Sequence, residues 1–153
     1  MALTPLSDAL ERILSDVEAK LDCETVALEA ASGRYCASTI NATLSVPPAD
    51  NSAMDGYAVA SHNVPGTLAI SQRVPAGHAP LPLEAGTAAR IFTGAEIPAG
   101  ADTVILQEDA EAGEGQVSLP AAQPGQHIRR QGNDIQPGDE LVAAGQRLTP
   151  QDI

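Results

Sequence analysis

The chain has 153 residues, of which 20 are acidic and 8 basic, for a formal net charge of −12 at neutral pH. That charge repels nucleic acid and anionic membrane surfaces at long range, so both are excluded first as partners. Hydrophobic residues make up 43% of the chain, yet 27 of them are Ala and only Tyr35, Tyr57 and Phe92 are aromatic, so the core has to come from Leu, Val, Ile and Ala. The length suits one domain or two small ones and is enough to bury about 70% of the unfolded surface.

The N-terminus reads as the one convincing helix. Leu6, Leu10, Ile13, Leu14, Val17 and Leu21 recur at spacings of three and four, which places them on one stripe. Thr4 is expected to cap the helix, with Pro5 in the first helical position and Asp8 and Glu11 near the positive end of its dipole. Such a stripe ordinarily packs into a core. Residues 1–20 carry acids and lack the pattern of a signal peptide, and no run approaches the ~20 apolar residues of a membrane span. A cytoplasmic location is the expectation. Cys23 and Cys36 form no CxxC and have no nearby His pair, so both are expected to be free structural thiols.

After Asp22 the texture changes. Thirteen Gly and 12 Pro punctuate short apolar runs, at the roughly 8–12-residue spacing of strands and turns. Strands are expected at 25–30, 35–44, 56–60, 68–74, 88–93, 103–107, 116–119, 127–129, 140–143 and 146–149, the last two as a tight meander around Pro137-Gly138-Asp139 and the turn at 143–146. Glu108, Asp109, Glu111 and Glu114 crowd four acids beside two glycines. Mutual repulsion places them in water, most simply as a hairpin loop, and their spacing does not match a calcium-binding loop.

Three stretches could carry chemistry. In residues 47–59, Asp50, Asn51 and Ser52 are types that fold back on their own backbone in Asx-turns, and Asp55-Gly56 is a hairpin signal. The same loop would offer acceptors and bare N–H groups to a small polar ligand. In 88–108 a strand runs to Thr93-Gly94, where a hydroxyl and an approachable N–H suit an oxyanion. The alternative is a plain strand-loop-strand unit. In 125–135, Arg129 and Arg130 point to opposite faces of an extended segment. An Arg fork fits phosphate or a similar oxyanion, and a surface pair with Asp134 or Asp139 is equally compatible with the pattern.

Together, DNSAMDGYAV at 50–59, RIFTGAEIPAGADTVILQE at 90–108, and GQHIRRQGNDI followed by PGDELVAAGQRLTP at 125–150 closely resemble the molybdopterin molybdenumtransferases, that is, MoeA and the E domain of gephyrin. The resemblance covers nearly the whole chain. It departs at Asn133, where the family usually has an acid.

The resemblance implies a mainly β (α+β) fold of two small β-rich domains, one inserted in the other, matching only the N-terminal part of such enzymes. An N-terminal helix (1–22) would precede a discontinuous domain (23–41 plus 140–153) that carries an inserted domain (42–139). By the same analogy the helix packs on a following domain, so Leu10, Ile13, Leu14 and Val17 should be incompletely covered here.

The implied reaction inserts molybdenum from molybdate into adenylylated molybdopterin during molybdenum cofactor biosynthesis, with a divalent cation such as Mg²⁺. The chain alone would be inactive. A homodimer is implied, with molybdopterin adenylyltransferase as a partner. By motif match Asp55, Thr93 and Asp134 take catalytic positions, and Ser52, Arg90, Gly94, Arg129 and Arg130 substrate-binding ones. Two other classes stay open: a non-catalytic dimerisation or interaction module, and a free-standing oxyanion-binding domain.

Overall fold

A computed structural model describes residues 4–17 and 22–153. The chain divides into two compact units, residues 1–39 with 142–153, and residues 40–141.

The first unit holds α1 (Leu6–Ser15), whose N-cap is Pro5 with no side-chain cap bond. Thr4 therefore does not cap it and Pro5 sits just before the first helical residue, a shift of one position from the sequence expectation. Asp16 forms the C-cap, so Val17 lies past the end; Leu21 falls outside the described residues. No residue of α1 is buried, and Leu6 (84% exposed), Ile13 (64%) and Leu14 (60%) present their stripe openly. The amphipathic pattern is correct, but its apolar face finds no core among the described residues.

The expected strand at 25–30 is instead a 3₁₀ turn over Leu28–Ala30. Leu-Glu-Ala-Ala are helix formers, and local propensity wins where no partner strand is present. Residues 33–36 run antiparallel to 145–148 through Gly33 N to Leu148 O (2.8 Å), Leu148 N to Arg34 O (2.8 Å) and Cys36 N to Gln146 O (2.8 Å), with one bridge at Tyr35–Arg147. The pairing is real but too irregular for the strands expected at 35–44 and 146–149. Pro150–Asp152 closes the chain as a 3₁₀ turn in which Thr149 and Asp152 form a capping box.

The second unit is built on a six-stranded sheet in the order β6-β3-β5-β4-β8-β7. Its strands are β3 (Gly56–Val59), β4 (Gly66–Val74), β5 (Thr87–Ile91), β6 (Thr103–Leu106), β7 (Glu111–Ala112) and β8 (Gln116–Leu119). Two ribbons complete it: β1 (Ile40–Asn41) with β10 (Glu140–Val142), and β2 (Asn51–Ser52) with β9 (Ile128–Arg129). β10 thus pairs with a strand far upstream, so the expected C-terminal meander is not formed. In the acidic stretch Glu108, Asp109, Glu111 and Glu114 are all exposed, but only Glu114 lies in the loop of a hairpin (β7–β8); Glu111 is in β7, and Glu108 and Asp109 lie in a 3₁₀ turn before it.

Both faces are covered at β3, β5 and β6, which explains their apolar runs without alternation, whereas β4 and β8 alternate. Tyr57, Val59, Ala88, Ile105, Val117 and Leu119 fill one side. Ala58, Val74, Ala89, Ile91, Ala95 and Val104 fill the other. Alanine suits the middle because β3 lies tightly between β5 and β6. The extreme is Gly56, where a Cβ would meet the Ile105 carbonyl oxygen at 2.0 Å.

Two predictions follow from this packing. Ile91 is 0% exposed, so Ile91→Ala should cost about 2–5 kcal/mol in urea unfolding of the second unit. Leu10→Ser, on the open face of α1, should change chain stability by less than about 0.5 kcal/mol in the same measurement.

Candidate functional site

The three motif stretches meet at one end of the second unit. Residues 50–52 form a central track. On one side Ser52 N donates to Ala95 O, Gly94 N to Ser52 O and Ile97 N to Asp50 O (2.8, 2.8 and 2.9 Å). On the other side Asn51 pairs with Arg129 and Ser52 with Ile128 in the β2–β9 ribbon, and Ala53 N donates to His127 O at 2.9 Å. Gly94 turns the chain with φ 81°, a conformation open to glycine at no steric cost. Segments widely separated in sequence are thereby held as one backbone layer.

Asp55 leaves this layer toward the end of β5. Its Oδ1 accepts both the backbone N–H of Thr93 (2.8 Å) and the Thr93 hydroxyl (2.7 Å). Among the described residues, Oδ2 receives no protein hydrogen bond. The two Thr93 bonds hold the carboxyl below the usual carboxylate range, against a small opposing desolvation and with help from the charge of Arg90. Asp55 is therefore ionised at neutral pH. The Asp55-Gly56 dipeptide does not make the hairpin its composition suggests, because β2 and β3 belong to different sheets.

Asp50 and Asp134 form a second group on the same loops. Asp50 Oδ1 accepts Gln131 N at 2.8 Å and Oδ2 pairs with Arg130 Nη1 at 2.5 Å, while Gln131 Nε2 donates to Pro48 O at 2.8 Å. Asp50 thus bonds across to a distant segment instead of folding into an Asx-turn. Gln131 N is the main cause of its lowered pKa, followed by the opposing effect of burial and then by the side-chain bond and charge of Arg130. Arg129 bonds Asp134 Oδ2, and Asn133 Nδ2 donates to Asp134 Oδ1 at 3.3 Å. These bonds, Arg129 first, lower the Asp134 pKa. An ionised acid at 133 could not donate in this way, so Asn133 has a definite electrostatic effect.

Both arginines of the third motif are thus paired with acids, Arg129 with Asp134 and Arg130 with Asp50. The Ser52 hydroxyl is spent on Met54 O at 2.6 Å and its residue is 2% exposed. Gly94 N is spent on Ser52 O. Arg90 reaches Gly56 O and Ile91 O (both 2.8 Å) and Gln107 Oε1 (2.5 Å). The sequence marks Asp50 only as a turn former and does not mark Gln107, although each stands inside a quoted motif. Their partners lie in other segments, so no local pattern could signal them.

Two shallow hollows, of about 270 and 240 Å³, are lined by residues such as Glu111 and Gln116 or His62 and Leu83, away from Asp55, Thr93 and Asp134. Among the described residues no group of three or more His, Cys, Asp or Glu side chains could hold a metal ion. Cys23 and Cys36 are free, and no described helix is long and apolar enough to cross a membrane.

A family model described as "MoeA N-terminal region (domain I and II)" matches residues 4–153. The chain belongs to this family. It is 39% identical over 150 residues to the molybdopterin molybdenumtransferase of Nostoc sp. and 41% identical over 156 residues to that of Synechococcus elongatus, covering 92% and 94% of this chain but 34% and 38% of those proteins. A crystal structure of the molybdopterin biosynthesis MoeA protein from Pyrococcus horikoshii superposes with a TM-score of 0.86 at 36% identity, over 99% of this chain and 41% of that one. The chain thus spans little more than a third of the length of these relatives. The mainly β fold with one helix agrees with the resemblance carried by the motifs.

The acid network sets a pH dependence with a definite sign. Asp50, Asp55 and Asp134 have folded-state pKa values below their unfolded 3.8. Their stabilisation is complete above that value and is lost as pH falls through the lower folded values. The melting temperature of the second unit should therefore begin to fall only once the pH drops into the ordinary carboxylate range, and continue to fall below it. Asn133→Asp removes a donor and adds a like charge, so the Asp134 ¹³Cγ titration should move up. An unchanged midpoint would show that Asn133 does not act on Asp134.

Proposed function

We propose that this chain is the N-terminal part of a molybdopterin molybdenumtransferase of molybdenum cofactor biosynthesis, whose full-length form inserts molybdate-derived molybdenum into adenylylated molybdopterin with release of AMP. The single observation that carries the reading is the Asp55–Thr93 contact, which joins two family motifs at one carboxylate. One oxygen is pinned by two donors and the other is left for a ligand. Membership of the MoeA N-terminal region family and the relatives' names support the reaction class.

In this reading Asp55 orients water toward the phosphoanhydride of the adenylylated substrate. An ionised carboxylate of lowered pKa is a weak base, so its contribution is orientation through a hydrogen bond more than proton abstraction. The Thr93 hydroxyl has committed its proton to Asp55, and its remaining lone pairs can only accept. Asp134 lies on the same loop layer with its charge already shared with Arg129. Arg129 and Arg130 bring positive charge toward an anionic substrate only as far as their acid partners leave it available. Ser52 and Gly94, whose donors are spent inside the layer, hold the loops in register. The exposed stripe of α1 supports an assembly larger than this chain. We include in the proposal a homodimer, a cytoplasmic setting and supply of the substrate by molybdopterin adenylyltransferase.

In the full-length protein, Asp55→Asn should lower AMP release from adenylylated molybdopterin by on the order of a hundredfold or more, while circular dichroism shows an unchanged fold. Turnover at the wild-type rate would remove Asp55 from the reaction.

A further inference from the structure

We infer that Arg90 is a positioning residue that clamps the backbone on both sides of the Asp55–Thr93 contact and does not itself bind substrate. The inference rests on the proposed role of Asp55 and Thr93.

The guanidinium is engaged on its edge and on its faces. Nη1 donates to Gly56 O and to Ile91 O, both at 2.8 Å. Gly56 directly follows Asp55, and Ile91 stands two residues before Thr93, so one nitrogen holds the two chains that carry the interacting side chains. Nη2 donates to Gln107 Oε1 at 2.5 Å, and Gln107 N in turn donates to Asp55 O at 3.1 Å. A third segment, the turn after β6, is thereby tied to the same point.

The aromatic residues complete the clamp. The Arg90 guanidinium carbon lies 4.4 Å from the Phe92 ring centre and 5.3 Å from that of Tyr57. Both distances are within the range of cation–π attraction. Phe92 also carries Arg73 at 4.6 Å. Phe92 directly precedes Thr93, so the stack restrains the residue next to the donor. Two of the chain's three aromatic side chains therefore serve this one guanidinium.

A phosphate-binding arginine needs a free fork, and this fork already faces protein acceptors. The planar group meets Gly56 O, Ile91 O and Gln107 Oε1 simultaneously while stacking on Phe92. A lysine ammonium keeps the charge but has neither the fork nor the flat face. Arg90→Lys consequently separates a clamp from a mere source of positive potential.

The experiment has two arms. In this chain, amide hydrogen exchange read by NMR should show the Thr93 N–H protected in the wild type and about tenfold less protected in Arg90→Lys, the factor expected when a charge-assisted hydrogen bond is loosened. Signals of Val117 and Leu119, on the far part of the sheet, report whether the variant is folded. Should it not fold, Gln107→Leu removes only the exposed arm and should still accelerate Thr93 exchange. In the full-length protein, Arg90→Lys should lower kcat with KM little changed.

Undiminished Thr93 protection in a folded variant, or a raised KM with wild-type kcat, would overturn the clamp. The exchange arm does not depend on turnover. If Asp55→Asn turned over normally while Thr93 lost protection in Arg90→Lys, the reaction reading would fail and the clamp geometry would stand.

Discussion

The close approach of β3 to β6 at Gly56 is the constraint on which the loop end of the second unit depends. A Cβ there would lie 2.0 Å from the Ile105 carbonyl oxygen, so only glycine allows β3 to begin where it does. Because β3 starts there, Asp55 is delivered to the mouth of the sheet, and Gly56 O is turned to Arg90. Ala58, Ala88 and Ala89 continue the same economy of volume between the two sheet faces. A core short of aromatic residues is therefore a consequence of tight strand packing, with Tyr57 in one core cluster and Phe92 at the loop end.

Polar bonding at that end is arranged in chains. Thr93 holds Asp55, Arg90 holds the backbone on either side, and Gln107 joins both. A parallel arrangement ties Arg130 and Gln131 to Asp50, and Arg129 and Asn133 to Asp134. Each acid is stabilised in its charged form by donors, from distant segments for Asp50 and Asp55 and from its own loop for Asp134, which is why all three keep their charge in mild acid. In a chain of net charge −12, local pairing rather than overall charge decides which anions a site can meet. The paired arginines present much less positive potential than their number implies.

The two units differ in how completely they are self-sufficient. The second buries a two-faced sheet with its own core. The first leaves the whole apolar stripe of α1 exposed, together with Leu28 and Tyr35. An exposed stripe of that kind is unusual for an isolated soluble domain. It accords with a chain that covers only part of the length of its relatives.

Hydrophobic runs and turn residues alone located five strands of the six-stranded sheet within a residue or two, whereas β7 stayed hidden because its exposed acidic stretch carries no apolar signature. The helix was legible from its stripe, and the motifs at 50–59, 90–108 and 125–135 were legible as a family resemblance. Pairing was not. Asp55-Gly56 reads as a hairpin and Asp50 as an Asx-turn, since local propensity carries no knowledge of the strand or donor that competes for them. Only the tertiary structure decided that β5 and β6 flank β3, that Asp50 meets Arg130 and Gln131, and that Arg90 turns inward to the backbone. The physical reason is the same in each case: a hydrogen bond between distant segments is specified by where the packed core places them, and that placement depends on many residues at once.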